Sequence, residues 1–400
     1  MLRNLVSPHL DALLTSGYGS GQSVVRVVRR KLPTLCLCLL LTGWWYPAPR
    51  NAAGQGQTAA AGRSAELVET LRLTEQAIKL HKEGRYAEAI PLAERALAIR
   101  EKALGPDNQF VAQSLNILAA LYYVRGDYGR AEPLHRRALE IWVKALGPNH
   151  PNVADSLYNL GLLYRLKGDV ALAVTCYQRA LAIREKALGP DHPSVALSLN
   201  YLAALYYEYD DYARAEPLHL RALAIREKAF GPDHRDVADS LNNLAALYID
   251  KRDYGRAEPL AERALAIREK VLGPNHPTVA TSLNTLATLY KAKGDYGRAE
   301  ALYRRALETW VKALGPDHPD VARSLNNLAA LYEAAGDYTR AVQFLSRGAE
   351  VNERNLALIL STGSERQKLA YLATLADEAY TTVSLHARTV PGDRQALDSR

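Results

Sequence analysis

Leu188-Gly189-Pro190-Asp191-His192-Pro193 is one copy of a phrase that the chain repeats. Its Gly-Pro pair recurs every 42 residues, at Gly105-Pro106, Gly147-Pro148, Gly189-Pro190, Gly231-Pro232, Gly273-Pro274 and Gly315-Pro316. A fixed period of this size marks a repeat array. Each unit of such an array contacts only its neighbours, which gives an extended surface rather than a closed pocket. That arrangement favours partner binding over catalysis.

Between two Gly-Pro pairs the apolar spacing predicts two helices. Leu115, Leu118, Ala119 and Tyr122 fall at i, i+3, i+4 and i+7, one helical face, and the pattern returns as Leu157, Leu160, Gly161, Tyr164 and as Leu241, Leu244, Ala245, Tyr248. This first helix, helix A, breaks before a recurring aspartate: Asp127, Asp169, Asp211, Asp253, Asp295 and Asp337. A carboxylate there can accept free backbone N–H groups of the next helix, so the column is expected to cap helix B. Helix B carries two alanine columns, at 89, 131, 173, 215, 257, 299 and 341 and at 96, 138, 180, 222, 264 and 306. Small residues in register let helices approach closely, and a larger side chain would overpack the contact. Pro91, Pro133, Pro217 and Pro259 fall early in helix B, where a slight bend is expected. The Gly of each Gly-Pro is expected to take the left-handed cap and the Pro to stop the helix. Pro151, Pro193, Pro277 and Pro319 suit the first turn of the following helix A.

These residues resemble the tetratricopeptide repeat, a helix pair with Leu-x-x-Leu-Ala-x-Leu-Tyr in its first helix and spaced alanines in its second. The usual period of that family is about 34 residues. The longer period here, with Leu-Asn-Asn-Leu-Ala at 241–245 and 325–329, Arg-Ala-Leu-Ala-Ile-Arg-Glu-Lys and Leu-Gly-Pro-Asp-His-Pro, resembles the kinesin-light-chain subtype. The likeness covers residues 66–350, about seven units. The first unit departs from it, with Gly84-Arg85-Tyr86 in place of the aspartate, and the third carries Val170 where the others have Tyr. The resemblance implies an all-α, right-handed superhelical solenoid of about seven antiparallel helix pairs with a helical C-terminal cap. It also implies protein binding in a concave groove lined by helix A.

The chain has 400 residues, 48% of them hydrophobic and 23% charged, an ordinary globular composition. Seven basic residues, among them Arg26, Arg29, Arg30 and Lys31, stand against the one acidic Asp11 in residues 1–63. Most of the formal charge of +7 is therefore in that leader. The near-neutral repeat body argues against nucleic-acid binding, which needs a basic stripe. Cys36, Cys38 and Cys176 form no disulfide framework or zinc spacing.

Residues 1–63 read as a leader. A basic run ends at Lys31, an apolar stretch follows at 32–46, and a small-residue stretch comes next, the order of a secretory signal. The stretch is short for a membrane span. Export or membrane tethering through residues 32–46 is one expectation, and a disordered leader on a cytoplasmic protein is the other. The solenoid is assigned to residues 64–350, a helical cap or connector to 351–388 and a disordered tail to 389–400. The stretch from Glu353 to Arg388 resembles the connector of bacterial proteins that carry a caspase-like CHAT domain. No residue here matches the Cys and His of that peptidase. The resemblance implies a second function, the regulatory half of a split or truncated peptidase system.

No nucleophile elbow, Walker loop or His-Glu-x-x-His occurs in the chain. Catalytic, cofactor and metal sites are not expected, nor is a small-molecule substrate. The column His150, His192, His234, His276, His318 could suggest a metal ladder. Neighbouring repeats stand roughly 10 Å apart, whereas zinc needs ligands at about 2 Å. These histidines read instead as turn residues before helix A.

Candidates for peptide binding are Asn116, Asn200, Asn242, Asn284 and Asn326, a column set about 130° from the Leu-Tyr face. An Asn can both donate to and accept from a peptide backbone. Bonding to a neighbouring helix is the competing role. Tyr123, Arg165, Tyr207, Lys291 and Arg323 come from two columns that vary between repeats, as sequence-specific recognition requires. Trp142 and Trp310 replace Arg100, Arg184, Arg226 and Arg268 of other repeats. They would be contact anchors if exposed and packing residues if not. A protein or peptide partner is expected, with self-association through solenoid ends as a further option.

Overall fold

A computed structural model describes residues 57–362, with side chains placed for 66–355. Within that range the chain forms fourteen α-helices and no strand. In order they are α1 Gln57–Lys82, α2 Tyr86–Leu104, α3 Gln109–Val124, α4 Tyr128–Leu146, α5 Pro151–Lys167, α6 Val170–Leu188 and α7 Pro193–Glu208. The second half holds α8 Tyr212–Phe230, α9 Arg235–Asp250, α10 Tyr254–Leu272, α11 Pro277–Ala292, α12 Tyr296–Leu314, α13 Pro319–Ala334 and α14 Tyr338–Thr362. The basic and apolar leader through residue 56, and the connector and tail beyond 362, lie outside the described residues.

The chain divides between residues 205 and 206 into two compact units. In the first, α1 pairs with α2, α3 with α4 and α5 with α6, and each pair packs on the next. The second repeats this plan with α9 and α10, α11 and α12, and α13 and α14; α8 packs against α9. Successive A helices also touch there, α9 against α11 and α11 against α13.

Alanine sets the spacing. Ala89, Ala131, Ala173, Ala215, Ala257, Ala299 and Ala341 have no exposed surface, and the column from Ala96 to Ala306 is buried equally well. The core of the second unit shows the pattern, with Val237, Ala238 and Leu241 of α9 packed on Ala264 and Ile267 of α10. Polar links tie neighbouring pairs together. The tyrosine that closes helix A donates its hydroxyl to a glutamate on the preceding helix B: Tyr164 to Glu132 (3.3 Å), Tyr248 to Glu216 (2.9 Å), Tyr290 to Glu258 (2.8 Å) and Tyr332 to Glu300 (2.7 Å).

The aspartate caps form at Asp127, Asp211, Asp253, Asp295 and Asp337, each accepting from the backbone N–H three residues on. The capping arginine then lies over the helix-A tyrosine, 4.1 Å from the ring centre for Arg256 and Tyr248. Asp169 departs from the expectation and makes no side-chain cap. Its repeat has Val170-Ala171-Leu172 where the other capping aspartates are followed by Tyr-Gly-Arg, Tyr-Ala-Arg or Tyr-Thr-Arg, so it lacks the arginine that steadies the carboxylate.

The Gly-Pro glycines also differ from expectation. Gly105, Gly147, Gly189, Gly231, Gly273 and Gly315 have φ between 83° and 89° but ψ between 155° and 165°, outside the left-handed helical region. That extended, positive-φ conformation is open essentially to glycine alone. It turns the chain sharply into the proline while the Gly N–H still bonds four residues back, as in Gly231 to Glu227 (2.9 Å). Without a Gly-Pro, α14 runs to Thr362 and crosses residue 350 unbroken. At the other end α1 begins at Gln57, ahead of residue 64.

Candidate peptide-binding surface

The columns chosen from sequence are largely interior. Asn116 is 2% exposed; its Nδ2 donates to Ser156 Oγ on the next A helix (3.2 Å), and its Oδ1 meets His135 Nδ1 (2.9 Å). Asn200, Asn242 and Asn284 are buried as well. Asn284 Oδ1 accepts from Asn327 Nδ2 at 2.6 Å. Of the five, Asn326 alone is half-open, and it lies against Gly348, where a Cβ would strike its amide oxygen. The expected outward direction is thus corrected for Asn116, Asn200, Asn242 and Asn284. Helix A is covered by its own helix B, by the preceding helix B and by the neighbouring A helix, so a direction opposite the Leu-Tyr face is not open to water.

Tyr123, Arg165 and Tyr207 are buried too. The ring of Tyr123 packs 5.6 Å from that of Tyr128, and that of Tyr207 lies 5.6 Å from Tyr212. The Tyr207 hydroxyl donates to Asp250. Lys291 and Arg323 are half-buried. Burial holds the Lys291 ammonium below its ordinary range, an effect partly offset by the Glu333 carboxylate. Arg323 lies 5.2 Å over the Trp310 ring and pairs with Asp320 at 3.0 Å.

Trp142 and Trp310 are packed, at 7% and 2% exposure, and so do not serve as surface anchors. The arginines they replace are buried by the same geometry. Arg100, Arg184, Arg226 and Arg268 each send Nη1 to a serine hydroxyl fourteen residues on: Ser114 (2.6 Å), Ser198 (2.5 Å), Ser240 (2.9 Å) and Ser282 (2.8 Å). In two cases Nη2 also reaches a carboxylate, Arg184 to Asp155 (2.6 Å) and Arg268 to Asp239 (2.5 Å).

The histidine column caps helix A. His150, His192, His234, His276 and His318 each accept a backbone N–H at Nδ1, at 3.1 to 3.2 Å. Asn108 fills the same place before α3, accepting from Phe110 N at 2.9 Å. Burial lowers the pKa of His150. Among the described residues no cluster of His, Cys, Asp or Glu could hold a metal ion.

A partly exposed polar strip remains on the A helices of the second unit. It holds Asn243 and Asp250 on α9, Thr288 and Lys291 on α11, and Arg323, Asn326, Asn327 and Glu333 on α13. On α13 Arg323 stands three residues before Asn326 and four before Asn327, and Glu333 follows Asn326 by seven, so the four share one side of the helix. Sequence reading missed Asn243 and Asn327, which lie one residue beyond the chosen asparagines. The signal was present, because Asn243, Thr285 and Asn327 form a polar column of their own.

A family model of the tetratricopeptide repeat matches residues 69–131, 110–185, 156–228, 202–270, 236–310 and 278–354, a nearly continuous cover of the helices. The chain belongs to the tetratricopeptide repeat family. Members of that family are scaffolds that generally bind other proteins. Among solved structures, this tetratricopeptide repeat protein is similar to BtubC (BKLC) from P. vanneervenii, with 26% identity and a TM-score of 0.47 over 63% of this chain and 92% of that one. It is similar to a putative kinesin light chain with nearly identical TPR-like repeats from Podosopora anserina, with 29% identity and a TM-score of 0.45 over 52% and 97%. A tetratricopeptide repeat protein from Parabacteroides merdae shares the fold, with 17% identity and a TM-score of 0.50 over 76% and 99%. A search of curated proteins found no significant match.

Proposed function

We propose that this chain is a non-catalytic scaffold that binds a peptide or protein segment along the A helices of residues 206–355. The observation that carries the reading is the polar strip on α9, α11 and α13. Elsewhere these helices are sealed by alanine, leucine and tyrosine, yet the strip keeps amides and opposite charges within reach of solvent. Asn243 and Asn327 would hold the partner's main chain, since an amide both donates and accepts. Lys291, Arg323 and Glu333 would select its side chains.

The test is a pull-down from native lysate with the full chain as bait, beside a bait carrying Lys291→Glu and Arg323→Glu. A partner held by the first bait and lost by the second, with an unchanged helical spectrum, is the expected result. Equal retention by both would remove the strip from the binding surface.

A further inference from the structure

Of the four buried arginines that bond serine, Arg184 and Arg268 have a carboxylate partner, while Arg100 and Arg226 have none among the described residues. Arg184 Nη2 reaches Asp155 and Arg268 Nη2 reaches Asp239, in both cases the residue 29 positions earlier, on the preceding A helix. Counting the same distance back from Arg226 gives the partly buried Leu197, whereas from Arg100 it gives the exposed Leu71 on α1. Arg100 is 4% exposed, and Nη1 makes both of its hydrogen bonds, to Ser114 Oγ (2.6 Å) and Phe110 O (3.3 Å). Among the described residues no carboxylate pairs with it. The acids on either side of Val68 in the sequence are engaged elsewhere: Glu69 with Arg72 and Arg95, and Glu66 with Lys102. A guanidinium taken out of water without an anion is costly, and a carboxylate is the group that matches its planar fork. Desolvation accordingly lowers the pKa of Arg100.

Among the described residues nothing fills the place of the missing carboxylate. Asp155, which fills it beside Arg184, keeps 26% of its side chain exposed. Leu71 is 58% exposed and Val68, one turn earlier on α1, is 63% exposed. Neither covers the guanidinium as a packed side chain would. The result, among the described residues, is a buried cation bordered by an exposed apolar strip, all within the first unit.

We infer that Arg100, with Val68 and Leu71, forms a second docking point, for a partner peptide that presents an Asp side chain beside an apolar residue. The Asp would bond Nη2 as Asp155 bonds Arg184, and the apolar neighbour would cover Leu71 and Val68. This site rests on the reading of the chain as a protein-binding scaffold; it belongs to the first unit, and the strip on α9, α11 and α13 to the second.

The test is a random-peptide display selection on the full chain, followed by affinity measurement of the enriched peptides on three proteins. These are the wild type, Leu71→Asp and Lys291→Glu/Arg323→Glu. Leu71→Asp supplies the missing carboxylate from within, in a geometry the frame already holds at Asp155 and Asp239. It therefore stays folded where Arg100→Gln could fail to. Expected are peptides pairing Asp with an apolar residue, weakened at least about tenfold by Leu71→Asp and by Asp→Asn in the peptide. Binding insensitive to Leu71→Asp but lost with the double charge reversal overturns this site and leaves the scaffold reading standing. Recovery of no peptide that binds the wild type overturns both.

Discussion

Gly161 has no room for a methyl group. A Cβ built there lies 2.5 Å from Cε1 and 2.7 Å from Cδ1 of Tyr177, a fully packed ring that also meets Tyr158 and Tyr201. Gly161→Ala is expected to cost about 1–3 kcal/mol by overpacking. Adding Tyr177→Ala recreates the Ala245–Ala261 combination of a later repeat and should recover part of the loss, which a double-mutant cycle in urea would measure. A second strained residue is Arg252, which holds φ of 59° in a column where five of the other six members are glycine. Arg252→Gly is expected to raise stability by about 0.5–1 kcal/mol, because the left-handed conformation is unfavourable for a residue with a Cβ. Unchanged or lowered stability would show that Arg252 gains compensating contacts. Both features were visible in sequence as column exceptions. The reason for the Gly161 exception was not, because it depends on a tyrosine sixteen residues away. The direction of the asparagines was illegible for a related reason: one helical wheel cannot show that three neighbouring helices cover helix A.

At the scale of the helix, the termini were the most legible part of the chain. Five aspartates cap as their spacing implied, and the exception at Asp169 follows from its missing arginine. Asp253→Ala is expected to cost about 0.5–2 kcal/mol, while Asp169→Ala should change stability by much less, since it makes no cap bond. Equal effects would contradict the cap assignment. The Gly-Pro glycines carry a sharper expectation. Around Gly231 nothing lies within 4 Å of an added Cβ, so space alone would permit alanine. Its φ of 85° and ψ of 165° do not, and Gly231→Ala should cost about 1–3 kcal/mol despite the empty surroundings. A neutral result by thermal unfolding would mean that the turn relaxes freely. The histidine caps were the element-scale surprise, read as turn residues because imidazole is an uncommon N-cap. Asn108 in the matching place was the clue, since Asn is among the preferred caps.

For the molecule as a whole, the period of 42 residues carried the helix-pair plan, because every column returns in phase and errors in one repeat are corrected by the next. Acid sensitivity was not legible, since it comes from burial. Burial pushes His81 down to about 4 and His135 and His219 down to about 3, below the ordinary imidazole value. These groups stay neutral in the fold but take up protons when the chain unfolds. Stability should therefore hold above pH about 6.5 and fall as pH drops below it, by up to about 1.4 kcal/mol per pH unit for each histidine. Urea midpoints at pH 7.5 and 5.0 would check this, and an equal midpoint at the two values would contradict it.

The claim that the A helices of residues 206–355 hold a partner is tested most directly by site-specific photo-crosslinking. A benzophenone amino acid placed at Asn327 reports on the strip, and one at the exposed Glu262 of α10 serves as the control. A crosslink to the pulled-down partner from position 327, absent from position 262, is the predicted result. A crosslink from 262 without one from 327 would contradict the account.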